Sequence, residues 1–156
     1  MPITKVLGID PGLNKTGYAI IEKEKERLFL KESGVLYSKA KSYEKKIFEI
    51  VSEIENIIKK NKPEQLGIED VFRGMNTQSA LKSAHLKGAI IYLAIKNNLS
   101  LKVISPAEVK NLIAGYGRAT KEQIKKNLLF FINNPPDNPK EDEADAIAIA
   151  VSVFYL

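Results

Sequence analysis

The 156-residue sequence contains no cysteine, no tryptophan and a single histidine. The absence of cysteine excludes disulfide bonds and zinc sites with thiolate ligands, and it is typical of a reducing compartment. One histidine is too few for a metal site built from imidazole ligands. No apolar run is long enough to span a membrane, and the N-terminus has no signal-peptide pattern. We therefore expect a cytoplasmic protein.

The composition is that of an ordinary globular protein with a basic balance. Hydrophobic residues make up 44% of the chain and charged residues 28%, and 24 basic residues outnumber 19 acidic ones. The length predicts one domain that covers residues 1–156. The basic excess favours a polyanionic partner such as nucleic acid. Abundant lysine and glutamate without cysteine is also typical of proteins from hot-growing organisms.

Hydrophobic periodicity predicts three strands, a helix, and then alternating strands and helices. The predicted strands cover residues 4–9, 17–22, 27–37, 65–71 and 101–104. The predicted helices cover residues 42–60, 75–97, 106–114, 120–132 and a last segment that begins after Asn138 and runs to residue 155. Capping boxes mark helix starts at Ser105 and Thr120, and Asn138 is expected to help cap the last helix. This order predicts an α/β domain with a mixed five-stranded sheet, three antiparallel strands and then parallel strands, flanked by helices.

The first candidate site follows the first predicted strand. Residues 6–9 are apolar apart from Gly8, and they lead into Asp10 and the turn signal Pro11-Gly12. A carboxylate at the end of a buried strand needs a cation or hydrogen-bond donors. Asp10 is therefore either a turn residue that bonds its own backbone or a ligand for a cation.

Two further acidic pairs stand at the ends of predicted elements. Glu69 and Asp70 interrupt the fourth strand, where alternation sends them to opposite faces, unless the strand simply frays into a loop. Asp142 and Asp145 share a helix stripe with apolar residues such as Ile149, so they occupy one end of the buried face. The helix dipole also favours acids in a first turn, but it does not explain two acids on the inward stripe.

Asp10, Glu69, Asp142 and Asp145 would repel one another if they converged, unless cations neutralised them. Oxygen ligands without cysteine or histidine select a hard cation, Mg²⁺ or Mn²⁺. Two such ions about 3.5–4 Å apart form the arrangement that cuts phosphodiesters. Together with the basic balance, this predicts a metal-dependent nuclease with a ribonuclease H-like architecture.

Three motifs stand in an order and spacing that is highly specific, although the first alone is weakly so. They are Gly8-Ile9-Asp10-Pro11-Gly12 with Thr16-Gly17, Ile68-Glu69 with Val71-Phe72, and Asp142 with residues 144–150. With these motifs the chain resembles the RuvC family of crossover (Holliday) junction endodeoxyribonucleases. The resemblance also takes in Val109-Lys110 and Ala119-Thr120-Lys121, so it covers essentially the whole chain.

The resemblance implies a homodimeric endonuclease that nicks two like-polarity strands of a four-way DNA junction, in recombination and DNA repair. It implies two Mg²⁺ ions per subunit, for which Mn²⁺ can substitute. It also implies work beside a branch-migration complex of the RuvA junction-binding protein and the RuvB helicase.

The four acids match the family's catalytic and metal-binding site. Its last position is Asp or His, and here it is Asp145. In two-metal chemistry Asp10 would bridge the ions, Glu69 would hold one, and the helix pair would hold the other. The products would carry a 5′-phosphate and a 3′-hydroxyl. Asp70 stands where other members often have a neutral residue and receives no catalytic role.

The same resemblance predicts DNA contacts. Phe72 matches a junction-wedging aromatic, and an aromatic beside Arg73 can stack on an unpaired base. Two lysines match family lysines near the cut, and two further basic residues are expected to contact the backbone. As isolated residues, the phenylalanine could equally belong to the core and the lysines to a solvated surface. The predicted DNA-binding residues are Phe72, Arg73, Lys110, Arg118, Lys121 and Lys125.

The long helix predicted for residues 75–97 carries apolar or small residues on two faces. One face suffices to cover a sheet, so the other needs a second partner. Ala80, Ala84 and Gly88 would permit the close approach of another helix. A two-fold dimer would offer an identical site to each of two opposed strands, and we therefore expect a homodimer. The alternative is a helix that is buried within one subunit.

Other functions fit parts of the sequence. Sugar kinases and actin-like ATPases share a Gly-Ile-Asp-Xaa-Gly turn, but they enclose nucleotide between two domains, and this chain supplies one. A non-catalytic junction-binding scaffold would not need four intact acids. A nuclease of the same superfamily that acts on RNA is a closer alternative, but the Phe72 loop and the helix pair favour the junction enzyme.

Overall fold

The structure is a computed structural model that describes residues 4–70 and 77–156. Phe72 and Arg73 lie outside the described residues. The elements, in chain order, are β1 (Lys5–Asp10), β2 (Lys15–Glu24), β3 (Arg27–Tyr37), α1 (Tyr43–Asn61), β4 (Gln65–Glu69), α2 (Thr77–Lys96), β5 (Ser100–Ile104), α3 (Pro106–Ala114), α4 (Lys121–Leu128) and α5 (Glu141–Tyr155). Within the described residues, no helix is both long and apolar enough to cross a membrane.

The five strands form one mixed sheet in the order β3-β2-β1-β4-β5. The first three strands pair antiparallel, and β1, β4 and β5 pair in parallel, which confirms the predicted sheet. Asp10 lies opposite Gly17, and Glu69 lies opposite Ile104. The strands β1, β4 and β5 therefore finish at the same end of the sheet, where β2 begins and β3 finishes. We call this the acidic end, because it carries Asp10 and Glu69.

Helices cover both faces of the sheet, and strand alternation sets which residues each layer buries. Val6 and the apolar residues of α3, α4 and α5 form one core. Leu7 and Ile9 face the other core, which contains the apolar residues of α1 and α2. In α5, Ile149 and Val153 are buried against the sheet, as their stripe predicts.

Two predicted helix boundaries are wrong. The helix α4 ends at Leu128 rather than at residue 132, because Phe130 and Phe131 donate to carbonyls only three residues earlier. The chain then runs along β3, where Asn133 donates its N–H to the Leu28 carbonyl at 2.8 Å. The helix α5 begins after Lys140 rather than after Asn138, whose φ of 46° is left-handed.

Candidate metal centre

Three carboxylates from two elements meet at the acidic end. Asp10, Asp142 and Asp145 each offer one oxygen, and these oxygens all lie within 4.8 Å of one another. Asp10 ends β1, whereas the other two residues lie three positions apart in the first turns of α5, which places them on one face. The three side chains are half-buried. Their convergence confirms the inward stripe that the sequence predicts.

A close contact between α5 and β2 fixes the position of this group. A Cβ atom added at Gly17 would lie 1.9 Å from the backbone oxygen of Asp142. A Cβ atom at Gly8 would lie 2.5 Å from the backbone oxygen of Ala146, one turn further along the helix. The two glycines let the helix backbone rest directly on the strands. The first turn of α5 is thereby brought next to Asp10.

We expect Gly17→Ala to disturb the site through this contact. The added methyl group must displace the helix backbone, and such overpacking costs about 1–3 kcal/mol of folding stability. The shift should also weaken the stabilisation by a divalent ion, which thermal denaturation with and without Mg²⁺ would measure. Gly34→Ala is the control, since its Cβ would meet the movable ring of Tyr18 at 3.1 Å. Equal behaviour of the two variants would contradict the role of the contact.

Glu69 lies beside Asp10 but outside the group of three. It ends β4, which neighbours β1, and its carboxyl group accepts a hydrogen bond from that of Asp10. All four acids line one cleft of about 400 Å³. The structure thus brings the four predicted acids together, with Glu69 held by its bond to Asp10.

The electrostatics of the cleft favour proton retention while no cation is bound. Burial raises the pKa of Asp10 to about 8, and repulsion by Glu69 and Asp145 adds to the shift. Burial also raises the pKa of Glu69 and that of Asp145. A cluster of raised carboxyl pKa values is what convergent acids show without a counter-ion.

Two of the predicted DNA-binding lysines lie at the same cleft. Lys121 follows the N-cap Thr120, pairs with Glu141, and has its Nζ atom 3.5 Å from Oδ2 of Asp145. Lys110 of α3 lines the cleft, and its charge lowers the pKa of Glu69 in opposition to burial. Arg118 is exposed in the loop before α4, and Lys125 lies one turn into that helix. Neither residue lines the cleft.

The sequence patterns missed an ion pair at the cleft. Lys87 of α2 has a largely buried side chain, and its Nζ atom lies 2.7 Å from Oδ1 of Asp70, next to Glu69. Ser83, one turn earlier on the same helix face, also lines the cleft. The i, i+4 spacing of a serine and a lysine was the available signal. This spacing does not indicate which strand the helix face packs against, so the partner of Lys87 could not be predicted.

The donor set fits a hard divalent cation. All donors are carboxylate oxygens, which suit Mg²⁺ or Mn²⁺ better than softer metals. Three of them can approach a common point without rearrangement of the backbone, since their oxygens already lie within 4.8 Å. The acidic cluster is therefore consistent with divalent metal binding.

Relatives of similar sequence are named crossover junction endodeoxyribonucleases. The family model described as crossover junction endodeoxyribonuclease RuvC matches residues 6–153. The protein of that name from Citrifermentans bemidjiense is 37% identical over 147 residues, which cover 94% of this chain and 89% of the relative. The one from Aliarcobacter butzleri is 35% identical over 148 residues, which cover 95% and 96%.

Solved structures show the same architecture. Thermus thermophilus RuvC in complex with Holliday junction substrate aligns with a TM-score of 0.88 and 24% identity, over 97% of this chain and 94% of that one. The yeast mitochondrial Holliday junction resolvase Ydc2 aligns with a TM-score of 0.74 and 17% identity, over 98% and 78%. At these identities the likeness concerns the fold, and it confirms the predicted ribonuclease H-like architecture.

Proposed function

Because the chain belongs to the RuvC family of crossover junction endodeoxyribonucleases, we propose that it resolves four-way DNA junctions by paired symmetric nicks during recombination and repair. The observation that carries this proposal is the convergence of Asp10, Asp142 and Asp145 at one point, with Glu69 in the same cleft. The lysines beside these acids supply the positive charge that a DNA backbone requires.

The acids would hold Mg²⁺, with two ions per subunit and Mn²⁺ as a possible substitute. In our assignment Asp10 would help to hold both ions, Glu69 would help to hold one, and Asp142 and Asp145 would hold the other. When bound, the ions would supply a water of lowered pKa and would stabilise negative charge on the leaving oxygen. Asp10 is central because it contacts Glu69 on one side and neighbours the helix pair on the other.

The lysines would position the scissile phosphate over these acids. Lys121 can exchange its contact with Glu141 for a phosphate oxygen while it stays beside Asp145. Lys110 would contact the same backbone from α3. Hydrolysis joins the water oxygen to phosphorus and breaks the bond to the 3′ oxygen, which takes up a proton. The products carry a 5′-phosphate and a 3′-hydroxyl.

The test of this function is incubation with a synthetic four-way junction and Mg²⁺. We expect symmetric nicks in two like-polarity strands, and no comparable cleavage of a linear duplex of the same sequence. An RNA–DNA hybrid of that sequence should also remain intact. Equal cleavage of junction and duplex, or preferential cleavage of the hybrid, would contradict the proposal.

We further propose that the protein acts as a homodimer through α2. One stripe of this helix is buried against the neighbouring layer, as Leu86 and Ile90 show. The opposite stripe is exposed although it is apolar or small at every position. It consists of Leu81, Ala84, Gly88, Tyr92 and Ile95. The spacing of three and four residues is that of a helix–helix seam, which supports pairing with a second copy.

We expect sedimentation to give about twice the 17.4 kDa chain mass. Ala84→Glu should shift the protein to monomer and abolish paired nicking, because it places a charge in the middle of the seam. Lys82→Glu is the control, since Lys82 is exposed on the same helix but lies over the ring of Tyr43. A monomeric Ala84→Glu protein that still makes paired, symmetric nicks would contradict the dimer.

Family membership also supports three further proposals. The protein would work in the cytoplasm beside a branch-migration complex of RuvA and RuvB, and residues 1–156 would form one domain. Phe72, with Arg73 beside it, would be the aromatic residue that stacks on an unpaired base of the junction. Both residues lie outside the described residues. Addition of RuvA and RuvB to the cleavage reaction tests the partnership, because they should raise the rate only on junctions that can migrate.

A further inference from the structure

A lysine is fixed over an exposed tyrosine next to the acidic cleft. The Nζ atom of Lys140 lies 5.4 Å from the centroid of the Tyr37 ring and 3.3 Å from its hydroxyl oxygen. Tyr37 ends β3, and its side chain is 52% exposed. The backbone N–H of Lys140 donates to Oε1 of Glu143 at 3.1 Å, and Glu143 also accepts a hydrogen bond from Ser33 of β3. These contacts hold the ammonium group at the surface of the acidic end.

Other lysines surround this pair at the end of the β2–β3 hairpin. Lys15 begins β2 and is the register partner of Tyr37. Lys39 and Lys41 lie in the segment between Tyr37 and the N-cap of α1, and both are exposed. We call this group the hairpin surface: Lys15, Tyr37, Lys39, Lys41 and Lys140.

The lysines of the hairpin surface form no close ion pairs within the described part of the chain, although the charge of Lys15 contributes to the lowered pKa of Glu141. Within residues 4–70 and 77–156, no carboxylate lies within 4.0 Å of the ammonium groups of its four lysines. At the opposite end of the sheet, in contrast, lysines are paired with glutamates. These pairs are Lys5–Glu22, Lys23–Glu26 and Lys31–Glu24. Unpaired cations with an exposed aromatic ring favour a polyanion.

The position of the hairpin surface indicates that this polyanion is the DNA that crosses the acids. Tyr37 lies on β3, two strands from β1 and two residues beyond Val35, the register position of Asp10, which is about 12 Å at a strand spacing of about 4.8 Å. The strands β4 and β5 lie on the other side of β1, and β5 leads into α3 with Lys110. The hairpin surface and Lys110 therefore flank the acids at one end of the sheet. A DNA backbone that runs from Lys110 across the acids, in the direction of the strand order, reaches the hairpin surface.

We propose that the hairpin surface binds DNA phosphates on one side of the cut, with Lys140 positioned by Tyr37. This inference rests on the proposed junction cleavage and adds a contact region to it. A separation of about 12 Å corresponds to about two nucleotides, because neighbouring phosphates of one strand are further apart than the 3.4 Å rise along the helix axis. The contact is electrostatic and makes no use of base identity.

The first test compares two triple variants with the same loss of charge. Lys39→Gln, Lys41→Gln and Lys140→Gln remove charge from the hairpin surface. Lys23→Gln, Lys25→Gln and Lys62→Gln remove it from the opposite end of the sheet. Junction binding is measured in EDTA over a series of salt concentrations. Each lost phosphate contact lowers the salt slope by about 0.9, so we expect a decrease of about two to three per subunit, or about five for the dimer, for the first variant only.

The second test locates the contact on the DNA. Neutral methylphosphonate groups are placed singly along the cleaved strand of the junction. We expect wild-type binding to weaken at a position about two nucleotides from the cut, and binding by Lys140→Gln to be insensitive to neutralisation there. Tyr37→Leu should reproduce this insensitivity, whereas Tyr37→Phe should retain most of the wild-type response because the ring remains.

Equal salt slopes for the two triple variants would contradict DNA binding by the hairpin surface. The same conclusion would follow if the losses of binding from Lys140→Gln and from phosphate neutralisation simply added at every DNA position. Neither result would contradict the proposed junction cleavage. Failure of the wild-type protein to bind any junction would contradict the proposed function as well.

Discussion

Asp10→Asn is expected to lower junction cleavage by roughly 10³-fold or more, on the scale of losing a main electrostatic stabiliser in an active site. The amide keeps the size of the side chain but removes the negative charge at the point where the other acids converge. Junction binding should persist, because the proposed phosphate contacts are made by lysines rather than by the acids. Single-turnover cleavage and equilibrium binding, measured on the same junction, separate the two effects.

The other acids should follow a graded order. Asp142→Asn and Glu69→Gln should be as inactive as the Asp10 variant, and Asp145→Asn should be severely impaired. Glu122→Gln is the control, since Glu122 is exposed beside Lys121 but does not line the cleft. It should cleave within a fewfold of wild type. Near-normal cleavage by the amide variants at the first three positions would contradict the metal-dependent mechanism.

The sheet could be predicted because each strand carries a local signal. Residues 6–9 of β1 form an apolar run, and the turn signal Pro11-Gly12 ends it where the structure does. The end of α4 could not be predicted in this way. The apolar residues after Leu128 continue a helical pattern, although Phe130 is 84% exposed and the chain has already turned. Periodicity records which residues are apolar and carries no information about which of them are buried.

The acidic site could be located for a similar reason. Each acid interrupts or ends an apolar pattern, so its proximity to the end of an element was visible in the sequence. The contacts that give the site its properties were not visible. The approach of Gly17 to Asp142 and the bond between Asp10 and Glu69 join residues that are distant along the chain. Such contacts depend on the packing of α5 and on strand order, which no local pattern encodes.

The same repulsion among the acids predicts a pH dependence of folding stability in the metal-free protein. The pKa of Asp10 is about 8 in the folded protein, above its ordinary value of 3.8. The folded state therefore binds more protons than the unfolded state between these values, and stability falls as the pH rises through this window. Glu69 and Asp145 shift in the same direction, so they add to the loss.

In EDTA, we expect the melting temperature of the wild-type protein to fall between about pH 5 and pH 8, by an amount that reflects several kcal/mol. Asp10→Asn should flatten this dependence and melt higher than wild type near pH 8, since it removes one of the repelling charges. Saturating Mg²⁺ should stabilise the wild type most at high pH, where the carboxylates are ionised, and should scarcely affect the variant. Asp137→Asn, at an exposed position outside the cleft, is the control. A wild-type melting temperature that is constant over this range in EDTA, together with no gain in Asp10→Asn, would show that the acids do not repel one another as the geometry requires.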